Sequence, residues 1–302
     1  MKVFANKERA NWILDEIHHD FVRHTRHDMV SNDPDAYFVI NPWGLGDIRS
    51  GFRHSKILTF LHHIDTLKIA EYRFDELNMS DMIVVPNRFT YAECIKHIPK
   101  EKVKQIGYWV LDKRRGSSQG AQVLKKKLSI DGETLIGSFQ KDSEGQTEKP
   151  KLSKGPDIFI DVVSRINRER KVKVILTGYN RGYVIAKLKE RGIPFEFFHR
   201  HEDLNTLYDC LDAYLVTSRI EGGPQAVLEA SVRRVPILST NVGMASDVLH
   251  PDCICEDADE LLVKFLSNTH LSRIDENEAK VKDFYAEKVV PKFDDCLEKI
   301  CS

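Results

Sequence analysis

Short, almost continuous apolar runs alternate with longer amphipathic stretches along this chain, and that rhythm restricts its architecture more than any other feature. "KVFA" (2–5), "YFVI" (37–40), "KILTFL" (56–61), "DMIVVP" (81–86) and "VKQIGYWV" (103–110) lack the strict apolar–polar alternation of a half-exposed strand. Strands apolar on both faces belong in sheets covered on both sides, as in parallel α/β domains. Among them, "RANWILDEIHHDFVRH" (9–24) brings Trp12, Ile13, Ile17 and Phe21 onto one helical face.

The length of 302 residues favours about two domains. A break is visible at "KRRGSSQGAQ" (113–122), which is polar and rich in glycine and serine. The alternation then resumes with "TLIGSF" (134–139), "KVILTG" (173–178), "FEFF" (195–198), "AYLVTS" (213–218) and "VPILST" (235–240). Helices are expected at 156–169, 181–191, 203–210, near 257–267 and from about 276 onward. The pattern predicts two Rossmann-like, doubly wound α/β domains at 1–112 and 132–275, with a linker at 113–131. The terminal helix, about 276–302, is expected to pack back on the first domain. Such sheets bind ligands beyond the C-terminal ends of their strands, so the default site is the cleft between the domains.

Composition narrows the function. A formal net charge of -1 supplies no field for nucleic acid or anionic lipid. Lys125, Lys126 and Lys127 read as a solvated helix face. The six cysteines show no framework spacing, and Cys253-Ile-Cys255 is too tight for the usual zinc pair, which points to reduced thiols. "MKVFANKERANW" has no apolar leader and no run is long enough to span a bilayer, so a soluble cytoplasmic protein is expected.

Chemistry concentrates in "EGGPQAVLEA" (221–230). Ser218 and Glu221 fit a capping box, yet two glycines in a first helical turn would cost about 1 kcal/mol each relative to alanine. Proline prefers the first helical position, so the better reading starts the helix at Pro224, makes Gly223 its cap and leaves Glu221 in the loop. The N–H groups of Gly222, Gly223, Gln225 and Ala226 then form an anion site after a strand. Glu229 lies about 7.5 Å further along the helix axis. Carboxylates that far apart cannot share one proton or one metal. They suit the two hydroxyl-rich ends of an extended ligand with an anionic middle, which is the shape of a nucleotide sugar.

An anionic ligand needs counter-charge. Lys154 immediately precedes Gly155-Pro156, a second helix start, where a lysine is unfavourable unless an anion is present. Lys141, after "GSF", would supply another cation at the same strand edge.

Taken together these residues resemble the family 4 retaining glycosyltransferases of the GT-B fold. "TSRIEGGPQAVLEASVRRVPILSTNVG" is similar to that family's E-x7-E signature. "GSFQKDSEGQTEKPKLSKGPDIFID" resembles its donor-phosphate segment, and "SDMIVVPNRFTYAECIKHIPKEKVKQIGYWVLD" the segment closing its N-terminal domain. The resemblance implies transfer of a hexose from a UDP- or GDP-sugar to a carbohydrate or other hydroxyl acceptor, with no metal or other cofactor. It implies that Glu221 organises the reacting sugar, that Glu229 binds the ribose, and that Lys154 neutralises the departing diphosphate. The family's usual arginine falls near Ser138, and Lys141 would replace it as a point charge without the guanidinium fork. "ILTFLHHID" resembles the family's strand–His–Asp element, with either His62 or His63 as the counterpart, while His201 matches a loop near the base.

The front of the chain departs from that family, because "KVFANKERANW" runs straight into a helix where acceptor-pocket residues are usual. "NPWGLGDIRSG" (41–51) supplies a glycine-rich loop later, with Gly44 and Gly46 read as close-approach positions at the cleft. "DPD" (33–35) has the form of a metal-binding D-x-D but reads more simply as a turn before a strand. Two alternatives stay open: a nucleotide-sugar-binding module without catalysis, and a GT-B sugar-nucleotide epimerase.

Overall fold

The computed structural model describes residues 1–7, 13–40, 42, 45–51, 54–110, 118–129, 132–199 and 204–302. The chain divides into two compact units, Met1–Leu111 with Asp283–Ser302, and Asp112–Lys282.

The first unit holds strands β1 (Lys2–Ala5), β2 (Asp28–Met29), β3 (Ala36–Val39), β4 (Lys56–Phe60), β5 (Met82–Val85) and β6 (Val103–Gln105). They form one parallel sheet in the order β2-β1-β3-β4-β5-β6. β3 and β5 are buried at every position, as their unbroken apolar runs require. The strand order reverses between β1 and β3, and Asn6 Oδ1 accepts from Ile40 N at 2.7 Å across that switch.

Two expectations change here. The run expected to be a strand to residue 110 leaves the sheet after Gln105, because its end meets the terminal helix instead. Val110 N donates to Phe284 O at 2.8 Å, and the Trp109 ring lies edge-on to Phe293 at 5.5 Å. The single terminal helix expected from about residue 276 is two helices: Ile274–Val281 in the second unit and Ala286–Cys301 in the first. In the latter, Phe293 is fully buried against Phe38 and Phe60, with centroids 5.5 and 5.2 Å away, a burial contributing about 1.5–3 kcal/mol. Buried Asp294 accepts from Thr25 Oγ1 at 2.6 Å and Arg26 N at 3.1 Å, so its charge is met by donors.

The second unit holds β7 (Thr134–Ser138), β8 (Val172–Thr177), β9 (Phe195–Phe198), β10 (Ala213–Val216), β11 (Ile237–Thr240) and β12 (Ile254–Cys255). This parallel sheet has the order β12-β11-β10-β7-β8-β9 and reverses between β7 and β10. Helix Pro156–Glu169 starts with Pro156 in its first turn and buries Phe159, Ile160, Val162, Val163 and Ile166, the stripe of a helix on a sheet. Within the stretch expected as linker, Ser118–Leu128 is a helix of this unit; residues 113–117 lie outside the described ones. It buries Ala121 and Leu128, seven positions and about two turns apart, and Lys125 pairs with Asp212.

Candidate functional site

The loops after β7 and β10 flank the strand-order switch of the second unit, the edge at which doubly wound sheets bind ligands. Their polar side chains bond to one another. Lys154 Nζ lies 2.6 Å from Glu221 Oε2, with side chains only 21% and 9% exposed. Ser218 Oγ stands 2.8 Å from Glu221 Oε1 and 3.1 Å from Gln140 Oε1, and its one proton serves either oxygen. Gln140 Nε2 donates to Lys154 O at 3.1 Å, which closes the ring. Burial and the neighbouring charge of Lys154 both push the Lys141 ammonium below its ordinary pKa. Two lysines thus share one electrostatic field beside a carboxylate.

Local backbone geometry explains how Lys154 reaches Glu221. Lys154 ends a tight turn, Leu152–Lys154, and Gly155 follows at φ 57°. A Cβ on Gly155 would stand 1.8 Å from the Thr217 carbonyl oxygen, so only glycine permits this approach. Thr217 Oγ1 donates to Gly155 O at 2.9 Å, while Arg219 N and Ile220 N donate to Ser153 O at 2.9 and 3.0 Å. Arg219 also forks onto Asp157 at 2.7 and 2.6 Å, a bidentate pair in the first turn of the following helix.

The helix carrying Glu229 runs Gln225–Val232, one residue later than expected. Pro224, with ψ 144°, is its extended cap, so Gly223 is not the cap and the Ser218–Glu221 capping box does not form. The reason lies in packing. Met244 N donates to Gly223 O at 2.6 Å, and a Cβ on Gly243 would come within 2.2 Å of that oxygen. The buried 222–224 segment therefore packs against the 243–244 turn, and the first two amides of the helix are those of Gln225 and Ala226. Glu229 Oε2 accepts from the Tyr208 hydroxyl at 2.7 Å.

Several contributors carry no sequence motif. Gln140 is an ordinary loop residue until the sheet brings it to Ser218. Arg181, from the turn after β8, reaches Ser138 Oγ at 3.3 Å and Asp142 Oδ2 at 3.1 Å, both inside the unit. Burial pushes the Asp142 carboxyl up and the Arg181 guanidinium down, each opposed by the other's charge. Asp142 N and Ser143 N both donate to Asn180 O at 3.0 Å, and Ser143 Oγ accepts from Tyr183 N at 2.8 Å. A guanidinium thus underlies the end of β7 at Ser138, arriving from the neighbouring strand's turn. The only sequence signal for it was an arginine among glycines and asparagine in "TGYNRG".

The remaining candidates lie in the first unit. His62 Nε2 donates to the Ile40 carbonyl and Nδ1 accepts from the Tyr108 hydroxyl, so both ring nitrogens serve the protein. Burial, the largest influence, holds its pKa down to about 4. His63 is exposed, and with His62, Tyr72, Arg73 and Glu76 it lines a cavity of about 130 Å³. Gly46 does not occupy a close-approach loop: it sits in helix Leu45–Gly51, where a Cβ would meet nothing nearer than Glu76 Oε1 at 3.7 Å. Gly44 and His201 lie outside the described residues. Asp33 adopts φ 49° in a turn, and the Asp35 carboxylate accepts from Lys2 N at 2.8 Å.

Residues 146–267 match the family described as glycosyl transferases group 1. No curated protein matches the chain by sequence. Among solved structures, Anabaena HepE in complex with UDP-glucose is similar at TM-score 0.76 and 15% identity, covering 99% of each chain. A glycosyltransferase from Rickettsia africae is similar at TM-score 0.75 and 12% identity, over 99% of this chain and 98% of that one. Sucrose-phosphate synthase from Thermosynechococcus elongatus gives TM-score 0.72 and 14% identity, over 95% of this chain and 77% of that one. The chain has the GT-B fold of two Rossmann-like units. Among the described residues no helix is long and apolar enough to cross a membrane.

Proposed function

We propose that this chain is a glycosyltransferase that moves a hexose from a nucleoside-diphosphate sugar to a hydroxyl acceptor, with retention at the anomeric carbon and without a metal. The observation that carries this reading is the ring of Lys154, Glu221, Ser218 and Gln140 at the strand-order switch, with Lys141 in the same field. The family match over residues 146–267 covers Lys154, assigned from the donor-phosphate resemblance, and Glu221 and Glu229, assigned from the E-x7-E resemblance. HepE, which shares the fold, was solved with UDP-glucose.

In this mechanism the bond between the sugar's anomeric carbon and the diphosphate oxygen breaks, a new bond forms to the acceptor oxygen, and the acceptor hydroxyl's proton leaves with the diphosphate. Negative charge grows on the departing diphosphate. Lys154, Lys141 and the amides of Gln225 and Ala226 offset it, the kind of preorganised stabilisation that contributes most to many enzymes. Glu221, held by Lys154 and Ser218, accepts from hydroxyls of the transferred sugar. Glu229, eight positions on, accepts from the ribose. The first unit holds the acceptor, with His63 and Glu76 beside its cavity as the polar contacts.

Glu221→Ala is expected to abolish transfer while nucleotide binding stays detectable; full activity of that variant at saturating donor refutes the assignment. NMR of the fresh product reports the anomeric configuration, and inversion would end the retaining reading. Turnover undiminished by a chelator is expected if Lys154 and the helix amides suffice. Conversion of a donor sugar with no acceptor present would favour an epimerase instead.

A further inference from the structure

The geometry points to Tyr208 as the positioning residue that aims the Glu229 carboxylate at the donor ribose and so sets a preference for ribonucleotides over deoxyribonucleotides. This rests on the reading of Glu229 as the ribose-binding group. Tyr208 comes from helix Leu204–Asp209 and Glu229 from helix Gln225–Val232, so their 2.7 Å hydrogen bond ties two separate elements together.

The tyrosine cannot swing away. It is 1% exposed, with Phe139 edge-on at 4.8 Å, Tyr214 at 5.3 Å and the Arg233 guanidinium over its face at 5.4 Å. Arg233 is itself held, since its Nε donates to Asn205 Oδ1 at 2.7 Å and its Nη1 to Glu229 O at 3.0 Å. Burial and the Glu229 charge push the Tyr208 phenol well above its ordinary pKa, so it keeps its proton and remains a donor. A glutamate on a helix face otherwise samples several rotamers, and ordering it at the moment of binding would weaken affinity. One permanent lateral hydrogen bond does that ordering beforehand.

Phe139 links this clamp to the phosphate end. It directly precedes Gln140 and Lys141, and its N–H donates to the Tyr214 hydroxyl at 2.8 Å. The wall that braces Tyr208 therefore also carries the phosphate-facing loop. A carboxylate held ready to pair with a ribose hydroxyl is left unpaired by a deoxyribose, and such sites discriminate strongly against the missing hydroxyl.

The test is calorimetric titration of UDP, GDP and ADP, and of their 2′-deoxy and 3′-deoxy forms, with pyrophosphate reporting the phosphate end alone. The chains are wild type, Tyr208→Phe, Glu229→Gln and Glu229→Asp. Wild type should prefer its best ribonucleotide over at least one deoxy form by about tenfold, and Glu229→Gln should lose that preference. Tyr208→Phe should shrink the preference to about twofold or less while pyrophosphate affinity is unchanged. Glu229→Asp, which keeps Tyr208 but withdraws the carboxylate by one methylene, should show the same loss and serves if Tyr208→Phe does not fold. Full preference in a folded Tyr208→Phe chain, with loss in Glu229→Gln, overturns the role of Tyr208 and leaves the ribose reading standing. Preference intact in Glu229→Gln, or absent in wild type, overturns the ribose reading and this inference with it. Loss of pyrophosphate binding in a folded Tyr208→Phe chain would make Tyr208 a support of the whole site, which also overturns the specific role.

Discussion

In the second unit the strand order reverses between β7 and β10, and side chains from the loops after those two strands bond to each other there. In the first unit the order reverses between β1 and β3, but the candidate histidines follow β4, one strand further on. The contrast extends to the side chains. Lys154 and Glu221 hold partners at a surface edge, whereas His62 gives both ring nitrogens to the interior. Two units with the same alternating pattern therefore differ in what their strand ends are used for. One edge gathers charged side chains, and the other uses a histidine to brace a cavity wall.

The comparison is broken most directly at Lys154. Lys154→Ala should lower the transfer rate by about 10²–10³-fold, whereas His62→Asn should act mainly on stability; steady-state rates beside thermal unfolding of both variants decide it. Because Lys141 titrates below an ordinary lysine, diphosphate affinity should start to fall at a lower pH on the alkaline side than a normal ammonium would allow. Lys141→Ala should remove that early limb from the affinity profile.

The next largest effect concerns two glycines. Gly155→Ala places a Cβ 1.8 Å from a backbone oxygen at φ 57°, so the second unit should lose about 3 kcal/mol or more. Gly46→Ala lies in a helix with no contact nearer than 3.7 Å, and the first unit should gain about 0.5–1 kcal/mol. Chemical denaturation of each variant reads both signs.

Acidification should treat the units alike, which sharpens where they differ. His62 in the first unit and His270 in the second are both held down to about 4 from an ordinary 6.5, chiefly by burial. Above 6.5 neither state binds the proton; between 6.5 and 4 only the unfolded chain does, so stability falls as pH falls. Each histidine contributes at most about 3 kcal/mol to that loss. His270→Phe, which retains the stack on Phe265, should flatten its share of the acid limb in melting curves recorded from pH 7 to 4.

Most of this architecture was legible in the residues. Strand runs such as "KVFA" and "FEFF" and the helix at 156–169 form where their patterns place them, because burial on a sheet requires those apolar periods. Element ends were less legible. "VKQIGYWV" leaves the sheet at Gln105 for a distant helix, and Pro224 becomes a cap because Gly243 occupies the space beside Gly223. Of the site, Lys154 and Glu221 could be picked out from their glycine-proline settings, and the structure brings them within 2.6 Å of each other. Gly46 misled, since a glycine in a helix resembles a glycine in a loop until its neighbours are known.

The sequence by itself determined that the chain forms parallel, two-face-buried sheets and that glycine-proline helix starts carry charge at strand ends. Hydrophobic period and backbone preference act over a few residues, so they can be read locally. Which strands become neighbours was decided only by the tertiary structure. That choice brought Gln140 to Ser218, seated Tyr208 against Glu229 and slid Arg181 beneath Ser138. These contacts join residues 21 to 78 positions apart. Nothing in a local pattern encodes them, because their free energy depends on partners that only the completed sheet supplies.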